Sequence, residues 1–261
     1  MSISDLENPR NFKLTIEYDG TDFAGWQRQP QNPHQHTIQG EIERVLAEVL
    51  QEPIEVFGAG RTDSGVHAKA QVANFHTSNP MTIFKLQYAL NRMLPSGIRV
   101  IDMVEAPPDF HARYSAVSRT YRYFVATKST ALLSRFTGFY PPRKYNATTF
   151  NLEAMNAAAV HLYGENDFAS FSKKHAESKH YRCFLKFAKW RSIRRNELLM
   201  FEITANRFLH SMVRLIVGTL IEVGAGAISQ NEFEAIFNEK TVDNASALAE
   251  PSGLFLWKVE Y

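Results

Sequence analysis

The stretch Ile54-Glu55-Val56-Phe57-Gly58-Ala59-Gly60-Arg61-Thr62-Asp63-Ser64-Gly65-Val66-His67-Ala68-Lys69-Ala70-Gln71-Val72-Ala73-Asn74-Phe75 sets two apolar runs around a glycine-flanked loop. The runs at 54–57 and 70–75 read as two strands of a hairpin. A loop held between strands is a rigid mount for chemistry. This one carries an arginine, Arg61, two residues before a carboxylate, Asp63. The residue types alone leave two readings open. Asp-Ser-Gly is ordinary turn chemistry, and Arg61 with Asp63 is then a surface ion pair worth little. Alternatively the loop presents Asp63 to a substrate. A nucleotide fingerprint is excluded, because Gly58-x-Gly60 lacks the third glycine and no Gly-Lys-Ser/Thr follows.

Working outward from the hairpin, one supersecondary unit is used twice. Phe12, Leu14, Ile16 and Tyr18 alternate with polar residues, as in a half-buried strand. Ile38, Ile42, Val45, Leu46, Val49 and Leu50 recur at helical spacing behind Thr37, a candidate cap. After the hairpin come a helix from 82 to 93, stopped by Pro95, and a strand from 98 to 104. Pro107-Pro108 marks the boundary. Beyond it, a strand at 119–126, a helix at 150–162, strands at 181–190 and 198–205, a helix at 209–223 and a last strand at 254–259 repeat the order. Ser229 with Glu232 opens a short extra helix with a capping box. The expected fold is α+β: two β-α-β-β-α-β halves, residues 1–108 and 109–261. They form a central, mostly antiparallel sheet with a cleft between them. The connections at 127–149 and 164–180 read as long functional loops. In the 209–223 helix, Leu209, Met212, Val213, Ile216, Val217 and Leu220 make one apolar face, and Arg214 falls off it.

With 261 residues, 44% of them hydrophobic, the chain is large enough for such a core. Its one cysteine, Cys183, excludes an internal disulfide and a Cys-cluster metal site, and its neighbours read as a buried strand. His34-x-His36 has no acidic partners at zinc spacing, so no metal is expected. No run reaches the roughly 18 apolar residues of a membrane span, and the N-terminus does not read as a signal peptide. A soluble cytoplasmic protein with no membrane partner is expected. Net charge is +2, yet residues 110–214 hold 18 Lys/Arg against 6 Asp/Glu, interleaved with aromatics. That is the footprint of a polyanion binder. The turn of the second hairpin, Arg191-Ser192-Ile193-Arg194-Arg195-Asn196, is its most basic point. Arg191, Arg194 and Arg195 are therefore expected to grip phosphates.

The hairpin loop closely resembles the active-site motif Gly-Arg-Thr-Asp-Ala-Gly-Val-His-Ala of the TruA family of tRNA pseudouridine synthases. Phe23-Ala24-Gly25-Trp26-Gln27-Arg28-Gln29 with Thr37-Ile38-Gln39 is similar to the family's N-terminal signature. Phe110-His111-Ala112-Arg113-Tyr114-Ser115-Ala116 with Arg119-Thr120-Tyr121-Arg122-Tyr123 resembles its central one. Asn206 to Arg214, Ile216 to Leu220 and Gly253-Leu254-Phe255-Leu256 resemble its C-terminal helix and last strand.

The resemblance implies isomerisation of uridine to pseudouridine at positions 38, 39 and 40 of the tRNA anticodon arm, by a homodimer, with no cofactor and no further protein partner. It nominates Asp63 as nucleophile, and attack at uracil C6 or at ribose C1′ stays open. It offers Arg214 as the cation that keeps a buried aspartate ionised. Tyr121 is implied to stack on the uracil and carry a proton, with Leu254 against the base. The target base must be flipped out, and Arg61 fills the space or holds the nucleotide. Three departures stand out: Ser64 for the usual Ala, Ala70 for a usual Gly, and Glu250-Pro251-Ser252 for the commoner Ala-Pro approach. Ser64 is placed to hydrogen-bond Asp63. Other readings are a relative with shifted positional specificity and a non-catalytic RNA-binding module on the same fold.

Overall fold

The computed structural model describes residues 9–29, 31–32, 34–173, 180–194, 197–242, 245 and 247–261. In chain order its elements are β1 (Arg10–Tyr18), α1 (Ile38–Leu50), β2 (Phe57–Gly58), β3 (His67–Thr77), α2 (Ile83–Met93) and β4 (Ile98–Ala106). There follow β5 (Ser118–Ala126), β6 (Gly138–Phe139), α3 (Leu152–Val160), β7 (Gly164–Asp167), β8 (Arg182–Arg194) and β9 (Leu198–Ala205). Then come α4 (Met212–Gly224), α5 (Gln230–Glu239) and β10 (Leu254–Glu260). The chain divides into two compact units: residues 1–117 with 256–261, and residues 118–255.

In the first unit β1 lies between β4 and β3, antiparallel to both, with Phe12 opposite Phe75 and Ile16 opposite Gln71. The alternation read from the sequence holds: Phe12, Leu14 and Ile16 are fully buried, while Lys13, Thr15 and Glu17 are partly exposed. α1 turns Ile38, Ile42, Val45 and Leu46 inward. Each such side chain contributes about 1.5–3 kcal/mol by leaving water. Its cap is the expected one, as the Thr37 hydroxyl accepts from the Gly40 N–H. The strand expected at 54–57 is shorter: only Phe57 and Gly58 pair, with Asn74 and Ala73.

Residues 107–117 pack with this first unit. The Asn11 amide donates to the Pro107 and Phe110 carbonyls at 2.8 Å each. The Asn74 side-chain amide oxygen accepts from the Ala112 N–H at 2.9 Å. The chain's end packs here as well: Tyr261 donates its hydroxyl to the Ala112 carbonyl, and Val259 packs on Ala59, Val72 and Ala112.

In the second unit the strands run in the order β5-β9-β8-β7, all antiparallel, and β6 lies parallel to β5. Two expected loops contain structure. Residues 164–167 form β7, paired with Arg182 to Leu185, and 127–149 contains β6 and a 3-10 turn at 142–145. α5 opens with the expected capping box of Ser229 and Glu232.

α4 departs from the amphipathic reading. It begins at Met212, and besides the expected apolar face it buries Leu215, Thr219 and Ile221, so it is covered on nearly every side. A helix so covered is a core helix. Gly218 permits this, because the carbonyl of Ala247 lies 1.8 Å from where a β-carbon would stand. Gly218→Ala should therefore displace the 247–249 backbone and destabilise the protein by about 1–3 kcal/mol, the usual cost of overpacking. Urea unfolding measures this. An unchanged midpoint would mean that Ala247 can move aside without loss.

Candidate active site

Asp63 sits in the loop between β2 and β3, and the residues around it alternate in burial. Arg61 and Ser64 face solvent, Thr62 and Val66 are buried, and Asp63 is intermediate. Arg61 and Asp63 thus share one loop, with an inward-facing residue between them.

Thr62 anchors the loop. Its hydroxyl meets the Tyr18 hydroxyl at 2.8 Å in a buried contact, and its carbonyl accepts from the Trp26 N–H at 3.1 Å. The chain turns immediately after Asp63, whose carbonyl accepts from Val66 N–H. Gln71 donates to the Gly60 carbonyl on the other flank. The segment 20–26, after β1, forms the floor beneath the loop. Gly25, at φ +91°, lies so close that a β-carbon would stand 2.6 Å from the Thr62 carbonyl oxygen. His67 is fully buried and accepts from Gly20 N–H at Nδ1, with Asp19 beside it at 3.2 Å. Its place is under the loop.

The sequence reading missed Tyr18 as a support. The clue available was a tyrosine ending a strand at a buried position, which is common enough to pass as core. Ser64 does not do what was expected of it. Its hydroxyl donates to the Phe23 carbonyl at 3.2 Å, tying the loop to its floor.

The other candidate residues lie in the second unit. Tyr121 is buried on β5, opposite Ile203, and its ring meets Phe208 edge-on at 5.0 Å. Arg214, half-buried in the first turn of α4, donates Nε–H to the Ala249 carbonyl at 2.8 Å, and Ala249 N–H donates back to the Arg214 carbonyl at 3.1 Å. This reciprocal pair clamps the segment leading to Leu254. Ser211, just before α4, takes a left-handed backbone at φ 58°. A non-glycine residue there carries strain of about 1–3 kcal/mol, which surrounding contacts must hold.

Glu250, one of the departures from the family pattern, is fully engaged. The Tyr123 hydroxyl donates to its carbonyl and its N–H donates to the Tyr140 oxygen, both at 2.8 Å. Its carboxylate accepts from Phe139 N–H at 3.1 Å. Burial, with Tyr140 beside it, pushes the Tyr123 phenol well above its ordinary range, so it remains a neutral donor. Leu254 is buried at the end of this tethered segment.

The hairpin arginines are not brought to Tyr121. Register places Arg191 opposite Met200 and Arg194 opposite Leu198, three and five residues from Ile203. At about 3.3 Å per residue these are about 10 and 17 Å along the sheet. Arg191 also alternates onto the face opposite Tyr121, and Arg194 lies 3.9 Å from Glu197. Arg195 lies outside the described residues.

Among the described residues no three His, Cys, Asp or Glu side chains are grouped to hold a metal ion, and no helix is long and apolar enough to cross a membrane. Cys183 is buried on β8, and burial pushes its thiol up to about 12, so it is not a nucleophile at neutral pH.

Two motifs read separately from the sequence, 23–29 and 58–68, are thus one construction, and so are 206–214 and 247–254. The family model described as tRNA pseudouridine synthase matches residues 14–115 and 158–261, which include all four. The tRNA pseudouridine synthase A of Chlorobaculum tepidum is 46% identical over 252 residues, covering 97% of this chain and 98% of that one. That of Chlorobium limicola is 43% identical and covers 97% and 100%. The enzyme of the same name from Caldicellulosiruptor bescii is 40% identical over 259 residues, again at 97% and 100%. With its motifs in place and relatives similar over nearly their full length, the chain belongs to the tRNA pseudouridine synthase family, whose members are isomerases.

Proposed function

We propose that this protein converts uridine to pseudouridine at positions 38, 39 and 40 of the tRNA anticodon arm, as a cytoplasmic homodimer, with Asp63 as nucleophile. The observation that carries the role of Asp63 is its mounting. A carboxylate left accessible on a loop whose next inward residue is tied to Tyr18 and Trp26 is held in one place. Such fixing supplies the orientation that covalent catalysis needs.

The reaction breaks the N1–C1′ bond, turns the uracil and rejoins it through C5, and the C5 proton is lost as N1 gains one. Asp63 takes up the electrophilic carbon, C6 or C1′, and is released when the C5–C1′ bond is complete. The Tyr121 phenol carries the proton and offers its ring to the base. Arg214 supplies the positive charge that keeps the nucleophile ionised. Leu254 packs on the base, and Arg61 holds the flipped nucleotide. Arg191, Arg194 and Arg195 bind phosphates away from the reacting base, which agrees with the 10 Å or more between Tyr121 and the two described arginines along the sheet. Incubation with unmodified tRNA, followed by mapping of pseudouridine by position, tests the reading. Modification elsewhere in the tRNA would overturn the positional assignment.

Asp63→Asn keeps shape and deletes the nucleophile, so turnover should be lost while tRNA affinity is nearly unchanged. Pseudouridine formation by this variant, measured in single-turnover assays, would remove Asp63 from the mechanism. Tyr121→Phe keeps the ring on Phe208 but loses the hydroxyl. Binding should persist and isomerisation should slow by about 10²-fold or more, the scale of a lost acid–base group. A wild-type rate would leave Tyr121 only a packing role. Binding should weaken linearly in log K against log salt, with a slope of roughly −0.7 to −0.9 per phosphate contact. Arg191→Ala/Arg194→Ala should flatten that slope without moving the modified uridine, because phosphate contacts position and do not read sequence. An unchanged slope would take the hairpin off the RNA path.

A further inference from the structure

The end of the β8–β9 pair away from its hairpin turn holds an open groove of about 520 Å³ that none of the assigned roles uses. It is lined by Glu165, His180, Arg182, Phe184, Asn206 and Arg207, with the buried Cys183 beneath. Phe184 is 46% exposed, unusual for a phenylalanine in the body of a sheet. It is nonetheless fixed: its N–H donates to the Asn206 side chain at 2.8 Å, and Asn206 N–H donates to its carbonyl at 3.1 Å. These bonds fix the backbone that carries the ring, and a half-exposed ring on a fixed strand offers a stacking surface.

Among the described residues the groove also has more donors than its own groups can accept. The His180 Nδ1 faces the Arg182 N–H at 3.2 Å, and its Nε2 faces an Arg207 guanidinium nitrogen at 3.3 Å. A neutral imidazole accepts at only one nitrogen, so whichever tautomer forms, one N–H of the ring points at another donor. An anionic oxygen between them accepts from both. Among the described residues lining the groove the one carboxylate, Glu165, reaches Arg182 only at 3.9 Å, with both side chains largely exposed, a contact worth little. Two guanidiniums, an imidazole with surplus donors and a presented aromatic ring match one ligand chemistry: a phosphodiester next to an unstacked base. Arg207, at the groove, directly precedes Phe208, whose ring packs on Tyr121.

We propose that this groove binds a nucleotide of the RNA strand other than the reacting uridine, its base stacked on Phe184 and its phosphate held by His180, Arg182 and Arg207. The proposal rests on tRNA being the substrate. The test compares wild type, Phe184→Ala, Phe184→Tyr, Arg182→Ala/Arg207→Ala and, as a charge-loss control on helix α1 of the first unit, Arg44→Ala. Each is checked for an unchanged melting curve. Binding of unmodified tRNA is then measured across a salt series, and pseudouridine formation is measured as kcat and KM.

Phe184→Ala should raise Kd and KM about tenfold, as for one lost stacked base, with kcat and salt slope kept. Phe184→Tyr should restore binding. The double arginine variant should weaken binding and flatten the salt slope by about one phosphate contact, and Arg44→Ala should do neither. Unchanged Kd and slope in the groove variants would overturn the proposal while leaving the catalytic reading intact, as would effects no larger than those of Arg44→Ala. If wild type binds tRNA but forms no pseudouridine, the catalytic reading fails and the Kd series still decides the groove. If wild type binds no tRNA, both fail. If a variant melts early, Phe184→Tyr decides: poor binding by that well-folded variant would count against stacking.

Discussion

The structure depends most on the absence of a side chain at Gly25. The backbone of 62–64 lies so near that a β-carbon at Gly25 would stand 2.6 Å from one carbonyl oxygen and 3.0 Å from the carbonyl carbon of Asp63. The positive φ at Gly25 makes the same demand independently. The approach lets Trp26 N–H reach the Thr62 carbonyl and leaves the Ser64 hydroxyl on Phe23. A carboxylate on an unsupported turn would sample many positions. This one is carried by backbone contacts between two segments about 40 residues apart, and backbone contacts have few alternative geometries.

The second unit reaches a similar result by other means. Gly218 admits the 247 backbone against α4, and Arg214 exchanges hydrogen bonds with Ala249. Tyr123 and Tyr140 then grip Glu250. The position of Leu254 follows from these contacts, since only three residues separate it from Glu250. Glu250 adds a carboxylate on the Phe139 N–H, which strengthens the tether.

The elements were legible in the sequence because their causes are local. The alternation in β1, the Thr37 cap and the Ser229–Glu232 box each lie within a few residues of what they control. The candidate site residues were nominated only through motif resemblance. What holds them was not legible, because it depends on contacts between distant segments. Tyr18 with Thr62 joins residues 44 apart, and nothing in either neighbourhood announces the pair. α4 misled for a related reason. Its apolar residues suggested one buried face, but Ala247 covers another side through a glycine that the helical pattern gives no cause to single out. β7, with the sequence Gly-Glu-Asn-Asp, has no strand propensity at all and exists through pairing with β8.

The basic middle of the chain resolves into parts with different physics. Arg122 is paired with Glu202 across β5 and β9, Lys128 and Arg194 both lie against Glu197, and Arg119 is spent on the Asn206 carbonyl. Part of the charge counted along the sequence is therefore already engaged within the fold. A charge that must first leave a partner contributes less to phosphate binding than one with donors to spare. By that criterion His180, Arg182 and Arg207 are well placed for a phosphate. There the donors outnumber the acceptors, and the neighbouring ring of Phe184 offers a base its stacking surface. Charge density along a sequence identifies a polyanion binder. The location of the grip depends on which charges the fold has left with unspent donors.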